Sequence, residues 1–264
     1  MDKKIKQYLK INKVSWDKRT LYHVDSDFYD LKKFKKNKNS LKHIELKALG
    51  NIKGKSILHL QCHFGMDSIS LSNLGAKVTA VDFSEEAVKY AQQLSKQLKL
   101  SVDFICSDIY DLNLYKKYDI IFVSYGAICW LPDLNLWAKK INLHLKKGGV
   151  FYIVDFHPVL GMFDEKIEKI KYEYFNKKTC IENVQGTYAA KDINEYFNNI
   201  EWSHSLSEII GSLLNQKLIL IDFQEFDYST YNCFDGLYEF EDEKFKFKNL
   251  KTDLPILFSL KFRK

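Results

Sequence analysis

Residues 54–84, GKSILHLQCHFGMDSISLSNLGAKVTAVDFS, decide the fold of this 264-residue chain. The stretch opens with the apolar run SILHL (56–60) and passes a tight loop containing Gly65. Helix-like spacing runs from Asp67 to Leu74. Gly75-Ala76 then leads into a second run, KVTAV (77–81), which ends at Asp82. Such a strand, loop, helix, strand unit predicts parallel strands joined by a right-handed crossover. The chemistry it serves is nucleotide binding. The loop lets backbone approach a ligand, and an acidic residue ending the second strand accepts hydrogen bonds from both ribose hydroxyls. Asp82 lies 21 residues after Gln61, close to the ~20 expected for such a pair.

The rhythm continues outward. Apolar runs at 102–106 (VDFIC), 118–123 (YDIIFV) and 150–154 (VFYIV) are separated by helix-like stretches from Glu85 to Leu98 and from Leu134 to Leu145. Ser84 sits at an N-cap position with Glu85 and Glu86 in the first turn. Gly148-Gly149 is expected to end the helix before the fifth run. Residues 156–202, rich in Tyr, Phe, Asn and Lys, lack this period and read as an insertion packed over the sheet edge. Ser205-x-x-Glu208 reads as a capping box before Ile209, Ile210, Leu213 and Leu214. A strand at 218–226, a looped aromatic and acidic segment at 227–254 and a final alternating strand at 255–264 follow. Upstream, residues 1–50 read as irregular to helical, with helical spacing at Leu41, Ile44, Leu46 and Leu49 and a stop at Gly50. The expected organisation is an N-terminal lid (1–50), an α/β core (51–158), a cap insertion (159–204) and a C-terminal helix with the last two core strands (205–264).

Composition bounds the function. With 46% apolar residues, 16 Tyr and 19 Phe, the chain can bury a sizeable core, which argues against disorder. The net charge of +6 is uneven. Residues 1–55 hold 16 Lys/Arg and 6 Asp/Glu, and the remainder is net acidic. That basic segment is either a solvated lysine-rich face or a surface for an anionic partner. Five scattered cysteines without a C-x-x-C pair argue against a disulfide framework and fit a reducing cytoplasm. The N-terminus has no apolar signal core, and no run approaches the ~18 apolar residues of a membrane helix. His59, Cys62 and His63 straddle a strand and a loop, where alternate side chains point apart, so no metal site is expected.

On these residues the chain resembles the class I, Rossmann-like S-adenosylmethionine-dependent methyltransferases. Their first-strand motif typically reads hhDhGCGxG. Here it reads ILHLQCHFG, with His59 in the place of the acid, Gln61 and His63 in the place of two glycines, and Gly65 retained. HLQCHFG followed by LGA, VDFS and SYG-A-ICWLPDL is similar to one bacterial subgroup of small-molecule type. The resemblance implies a Rossmann-like seven-stranded, mostly parallel sheet with an antiparallel hairpin at one edge, helices on both faces, and cap insertions. It also implies S-adenosyl-L-methionine as cofactor. Asp82 would hold its ribose, next to Phe83. Asp108 would read the adenine amino group, with Ile109 packing on the ring. Gln61, Cys62, His63 and Gly65 form the first loop, and Ser124 ends the fourth strand beside the methyl group. Tyr29, with Tyr22 and Ser26, belongs to a covering lid. Tyr125 and Trp130 face either the acceptor pocket or the core, and Trp137 is expected to pack. His157 and His204 are candidate general bases, each equally readable as a buried structural histidine.

Methyl transfer from a sulfonium needs a base only when the acceptor must lose a proton, so the expected activity is transfer to a small-molecule acceptor, whether or not a general base takes part. Two other classes compete. The basic N-terminus suggests nucleic-acid methylation, but the position after the fourth strand reads Ser124-Tyr125-Gly126-Ala127, without the [DNS]-P-P-[YFW] motif, and no Pro-Cys nucleophile occurs. The substituted loop suggests a non-catalytic, cofactor-binding regulatory protein. A dinucleotide enzyme is disfavoured because G-x-G-x-x-G is missing. The oligomeric state and the identity of the acceptor are not encoded in any motif.

Overall fold

The computed structural model describes residues 1–264. Three helices come first: α1 (Lys3–His23), α2 (Leu31–Asn37) and α3 (His43–Leu49). The alternating core follows as β1 (Ser56–Leu60), α4 (Met66–Asn73), β2 (Lys77–Asp82), α5 (Glu85–Leu98), β3 (Val102–Cys106), β4 (Tyr118–Ser124), α6 (Leu134–His144) and β5 (Leu145–Phe156). A two-stranded sheet, β6 (Thr179–Gln185) with β7 (Tyr196–Trp202), precedes α7 (Leu206–Asn215) and β8 (Ile219–Phe226). A second hairpin, β9 (Leu237–Glu241) with β10 (Lys244–Phe247), precedes β11 (Leu257–Arg263).

The main sheet has seven strands in the order β3-β2-β1-β4-β5-β11-β8. All are parallel except β11, which runs antiparallel to both neighbours. Strand alternation splits the core into two layers. Ile57, Phe122, Tyr152 and Val154 face one, with α2 to α5; Leu58, Ile121, Val123, Phe151 and Ile153 face the other, with α6 and α7. Trp137 packs edge-on against Phe151 in the second layer, as expected. The order of strands reverses at β1, which lies between β2 and β4. The crevice beyond the C-terminal ends of β1 and β4 is therefore the switch point where ligands of such sheets bind. No helix is long and apolar enough to cross a membrane.

Several expectations need correction. Gly148 and Gly149 do not stop α6, whose end comes at His144 when Leu145 turns extended. They form a bulge inside β5, where the pairing jumps from Tyr118↔Leu145 to Ile120↔Val150. A Cβ on Gly149 would meet three backbone carbonyl oxygens at 2.9–3.2 Å, so close approach of chains selects the glycine. Residues 1–50 are far more helical than irregular, because α1 runs for 21 residues. The segment 227–254 is not only looped but contains the β9/β10 hairpin. Only half of the capping box forms. Ser205 accepts from the backbone N–H of Glu208, whereas the Glu208 carboxylate turns to His204.

The roof over the crevice is α1. Asn12 pairs with the backbone of Ile200 on β7, donating to its carbonyl (2.7 Å) and accepting from its N–H (3.0 Å). Asp17 accepts from Ser84 Oγ and from the Glu86 N–H, placing an anion at the N-terminus of α5, where the helix dipole favours it.

Gly65 tests how tightly the first loop is packed. It caps α4 at φ +83, and a Cβ there would come within 2.6 Å of the Phe104 ring and 2.9 Å of Ala91. A left-handed non-glycine residue costs about 1–2 kcal/mol and overpacking about 1–3 kcal/mol. Gly65→Ala should therefore lose about 2–5 kcal/mol in urea unfolding; a loss below about 1 kcal/mol would show that the loop relaxes freely.

Candidate functional site

The first loop keeps a glycine-like path without the glycines. Gln61 and His63 both lie at positive φ, +55 and +51, a conformation costly for side-chain-bearing residues. Local bonds hold it. The His63 N–H donates to Asp82 Oδ2 at 2.8 Å, and Gln61 Nε2 donates to the Ala127 carbonyl at 2.7 Å. Asp82 Oδ1 accepts from the Ser84 N–H at 2.9 Å. The carboxylate thus bridges the loop after β1 and the turn after β2. Burial raises its pKa to about 6, opposed by those backbone donors.

Around Asp82 the strand ends converge. The Ser107 N–H donates to the Asp82 carbonyl (2.9 Å), drawing the turn after β3 beside it. Asp108 Oδ1 accepts from the Tyr110 N–H and so also caps a turn. Ile109 is buried in the second core layer, while Phe83 and Asp108 stay partly exposed. Cys62 is buried in the first layer.

On the β4 side lies a polar chain. His59 Nδ1 pairs with Ser68 Oγ at 2.7 Å, and Ser124 Oγ donates to Asp67 Oδ2 at 2.9 Å. Burial keeps His59 neutral, with its pKa lowered to about 4. Asp67, in the first turn of α4, places a carboxylate at this end of β4. A second buried acid, Glu45 on α3, accepts from Tyr125 OH at 3.0 Å, and Tyr125 in turn accepts from Thr230 Oγ1 at 3.0 Å. Asp155 fixes the loop after β4 by accepting from the N–H groups of Gly126, Ala127 and Ile128.

Aromatic side chains from distant segments close over these groups. Tyr29 stacks on His63 (ring centroids 5.6 Å) and shares a 2.5 Å hydroxyl contact with Tyr188 of the cap. Trp16 meets His63 and Trp130, each at 5.3 Å. Tyr231 lies edge-on to Tyr125 at 4.9 Å and stacks with Phe28. His23 and His63 are both held neutral, mainly by burial, with His23 lowered to about 3.

The structure brings Gln61, His63, Asp82, Asp108, Ser124 and Tyr125 to the C-terminal ends of β1 to β4, with Tyr29 stacked on His63. It does not bring every candidate there. Tyr22 is exposed against Phe197, and Ser26 closes the turn after α1 by donating to the His23 carbonyl. His157 packs on Phe258 in the layer opposite Tyr125, with Nε2 2.9 Å from Glu225 and Nδ1 accepting from the Val159 N–H. His204 donates from Nε2 to the Leu131 carbonyl at 2.6 Å and lies 3.0 Å from Glu208. Both imidazoles are structural ties between segments. Sequence reasoning missed Glu45, Asp67 and Asp155. Only Asp67 carried a signal, as an acid in a helix first turn directly after the loop.

The chemistry of the donors and acceptors fits S-adenosylmethionine. Gln61 Oε1 is a buried acceptor without a donor, and a buried acceptor left open at the switch point suits an ammonium group. No group of three or more His, Cys, Asp or Glu residues is arranged to hold a metal.

Glu45 offers a pH test of this network. Burial, reinforced by the charge of Asp67, raises its pKa from 4.5 to about 7. A carboxyl raised on folding stabilises fully below its unfolded pKa, and that stability is lost as pH rises through 7. Glu45→Gln is neutral throughout, so relative to the parent it should gain about 2–3 kcal/mol between pH 5 and pH 8 in urea unfolding. A difference independent of pH would show that the carboxyl is ionised at both.

Comparison with known proteins gives the arrangement its context. Residues 57–149 match the family model for a methyltransferase domain. The ubiquinone biosynthesis O-methyltransferase of Pelagibacter ubique is 26% identical over 165 residues, 61% of this chain and 67% of that protein. The malonyl-[acyl-carrier protein] O-methyltransferase of Bacillus anthracis is 35% identical over 102 residues, and this chain spans only 37% of its length. Among solved structures, an S-adenosylmethionine-dependent methyltransferase from Clostridium acetobutylicum superposes with a TM-score of 0.57 at 18% identity, covering 91% of this chain and 93% of its own. Residues 57–149 match a methyltransferase domain, and the chain as a whole has the Rossmann-like fold of these solved methyltransferases.

Proposed function

We propose that this chain transfers a methyl group from S-adenosylmethionine to a small-molecule acceptor enclosed beneath α1, the β6/β7 cap and the 227–254 segment. The observation that carries the reading is the convergence on Asp82: a carboxylate ending β2, tied to the loop after β1, at the switch point of a methyltransferase fold. Asp82 would accept from the ribose hydroxyls, with Phe83, Asp108 and Ile109 at the adenine end. Gln61, Cys62, His63 and Gly65 would pass along the sulfonium side, with Ser124 near the methyl group and Tyr29 above.

The bound cofactor supplies an activated methyl group for in-line displacement. What the chain contributes is positioning and exclusion of water. Tyr125 would line the acceptor side, its hydroxyl held by Glu45 and Thr230. The aromatic enclosure of Phe28, Tyr29, Tyr188 and Tyr231 supports a compact acceptor over a polymer. That the curated relatives are O-methyltransferases favours an oxygen nucleophile. Free thiols at all five cysteines support a reducing compartment, the cytoplasm.

Calorimetry with S-adenosylhomocysteine tests the reading. The parent should bind, and Asp82→Ala should weaken binding about 100-fold, the equivalent of one or two charge-assisted hydrogen bonds. Asp108→Ala should cost about tenfold. Undiminished affinity in Asp82→Ala would refute the site assignment.

A further inference from the structure

Two carboxyl groups meet the end of β4, and they are not alike. Asp67 is satisfied on both oxygens, by Ser40 Oγ at 2.6 Å and by Ser124 Oγ at 2.9 Å. Glu45, on α3, is fully buried and only half satisfied. Its Oε2 accepts from Tyr125 OH at 3.0 Å, and its Oε1 has no partner. A carboxylate buried with one oxygen bare is costly, and a proton relieves that cost. Burial, helped by the charge of Asp67, accordingly raises Glu45 to about 7. The other titratable groups facing it are the phenols of Tyr125, Tyr152 and Tyr231. No cation answers it. Lys42 turns to Glu243 and the Tyr231 ring, Lys261 donates to the Ala48 carbonyl, His43 points outward to Tyr228, and His59 is held neutral.

Tyr125 connects this acid to the crevice. It follows Ser124 at the C-terminal end of β4 and is only half-buried. Its hydroxyl donates inward to Glu45 and accepts from Thr230 Oγ1 at 3.0 Å. The phenolic oxygen keeps acceptor capacity beyond that one bond. While Glu45 is ionised, the hydroxyl proton is committed to the carboxylate, so toward a ligand Tyr125 can only accept. A hydroxyl on the ligand meets that demand, and an ether oxygen does not. Once Glu45 holds a proton the chain of bonds can reverse, and Tyr125 is free to donate.

We propose that Tyr125 and Glu45 form a proton relay for a hydroxyl-bearing acceptor: Tyr125 touches the acceptor, and Glu45 receives the proton behind it. The inference rests on the function proposed above and names its acceptor class. As the acceptor oxygen bonds to the methyl carbon, the bond from sulfur to that carbon breaks and its electron pair stays on sulfur. The acceptor's O–H proton passes to the Tyr125 oxygen, and the proton already on Tyr125 passes to Glu45 Oε2. Tyr125 ends unchanged, and Glu45 ends neutral, the form that its burial favours. An acid that titrates near neutrality is well matched to that task. Departure of the ether product lets water reach Tyr125 and take the proton back along the same bonds. Glu45 lies outside the matched residues 57–149, so α3 contributes to the chemistry and not only to the packing.

The test uses the full chain saturated with S-adenosylhomocysteine and two aromatic probes, phenol and anisole, neither of which ionises between pH 6 and pH 8. In calorimetry the parent should prefer phenol, and the ratio of the two affinities should grow about fivefold from pH 6 to pH 8, as Glu45 ionises and Tyr125 becomes an acceptor only. Glu45→Gln and Tyr125→Phe should each give a ratio that does not change with pH. A carboxyl with a merely structural role would not tie a ligand's hydroxyl to pH. With S-adenosylmethionine in place of its product, methyl transfer to phenol should lose about 100-fold in kcat in Glu45→Gln, with KM raised less than about tenfold. A parent that binds neither probe, a parent ratio independent of pH, a pH dependence that survives in both variants, or a kcat that survives in Glu45→Gln would each overturn the proposal. If the parent binds no S-adenosylhomocysteine, the proposed function fails instead, and the phenol–anisole ratio measured without nucleoside alone decides the Tyr125–Glu45 pair.

Discussion

The hydrogen bond from the His63 N–H to Asp82 Oδ2 is the contact on which the rest of the site depends. It holds a loop of side-chain-bearing residues in a left-handed path that glycine adopts at no steric cost. The same carboxylate takes the Ser84 N–H, so the turn after β2 and the start of α5 share the anchor. Substituting Gln61 and His63 for glycine is then tolerable, because the strain is offset by bonds made in the folded state. It also changes the surroundings. Two side chains now occupy space above the crevice, and one of them, His63, becomes the surface on which Trp16 and Tyr29 rest.

That surface explains the roof. α1 carries no apolar stripe strong enough to dock by hydrophobic burial alone; its buried face includes Asn12, Ser15, Arg19, Thr20 and His23. Polar joints take over: Asn12 completes the backbone pairing of β7, Asp17 caps α5, and Lys13 pairs with Glu85 at 2.6 Å. The N-terminal helix, the cap hairpin and the first loop thus form one connected polar and aromatic layer over the sheet's C-terminal edge. Such a layer, rich in polar joints, opens at lower free energy than the apolar core beneath it. That contrast suits a site that must admit and release ligands.

The core was legible because its signal is local. SILHL and VDFIC match β1 and β3 residue for residue, and Glu85 to Leu98 matches α5. Apolar spacing and an N-cap are written within a dozen residues. The glycine pair at 148–149 misled because the same residues serve a helix stop and a close chain approach, and only the neighbouring strands distinguish the two. The two histidine candidates stayed ambiguous in the sequence for a related reason. A histidine's type fits general-base chemistry anywhere, but the partners that occupy its nitrogens, Glu225 for His157 and the Leu131 carbonyl for His204, lie 68 and 73 residues away.

By itself the sequence determined the alternating core, the order of its elements and the one acidic residue at the tip of β2, because these follow from hydrophobic period and from spacing along the chain. Tertiary structure alone decided that Asp67 accepts from Ser124 at the end of β4, that Glu45 lies buried against Tyr125, and that Arg19 lies buried among Trp16, Trp130 and Phe197. Each of those pairs side chains from elements that no local pattern relates. Their energies come from desolvation and close contact, which exist only once the chain has folded.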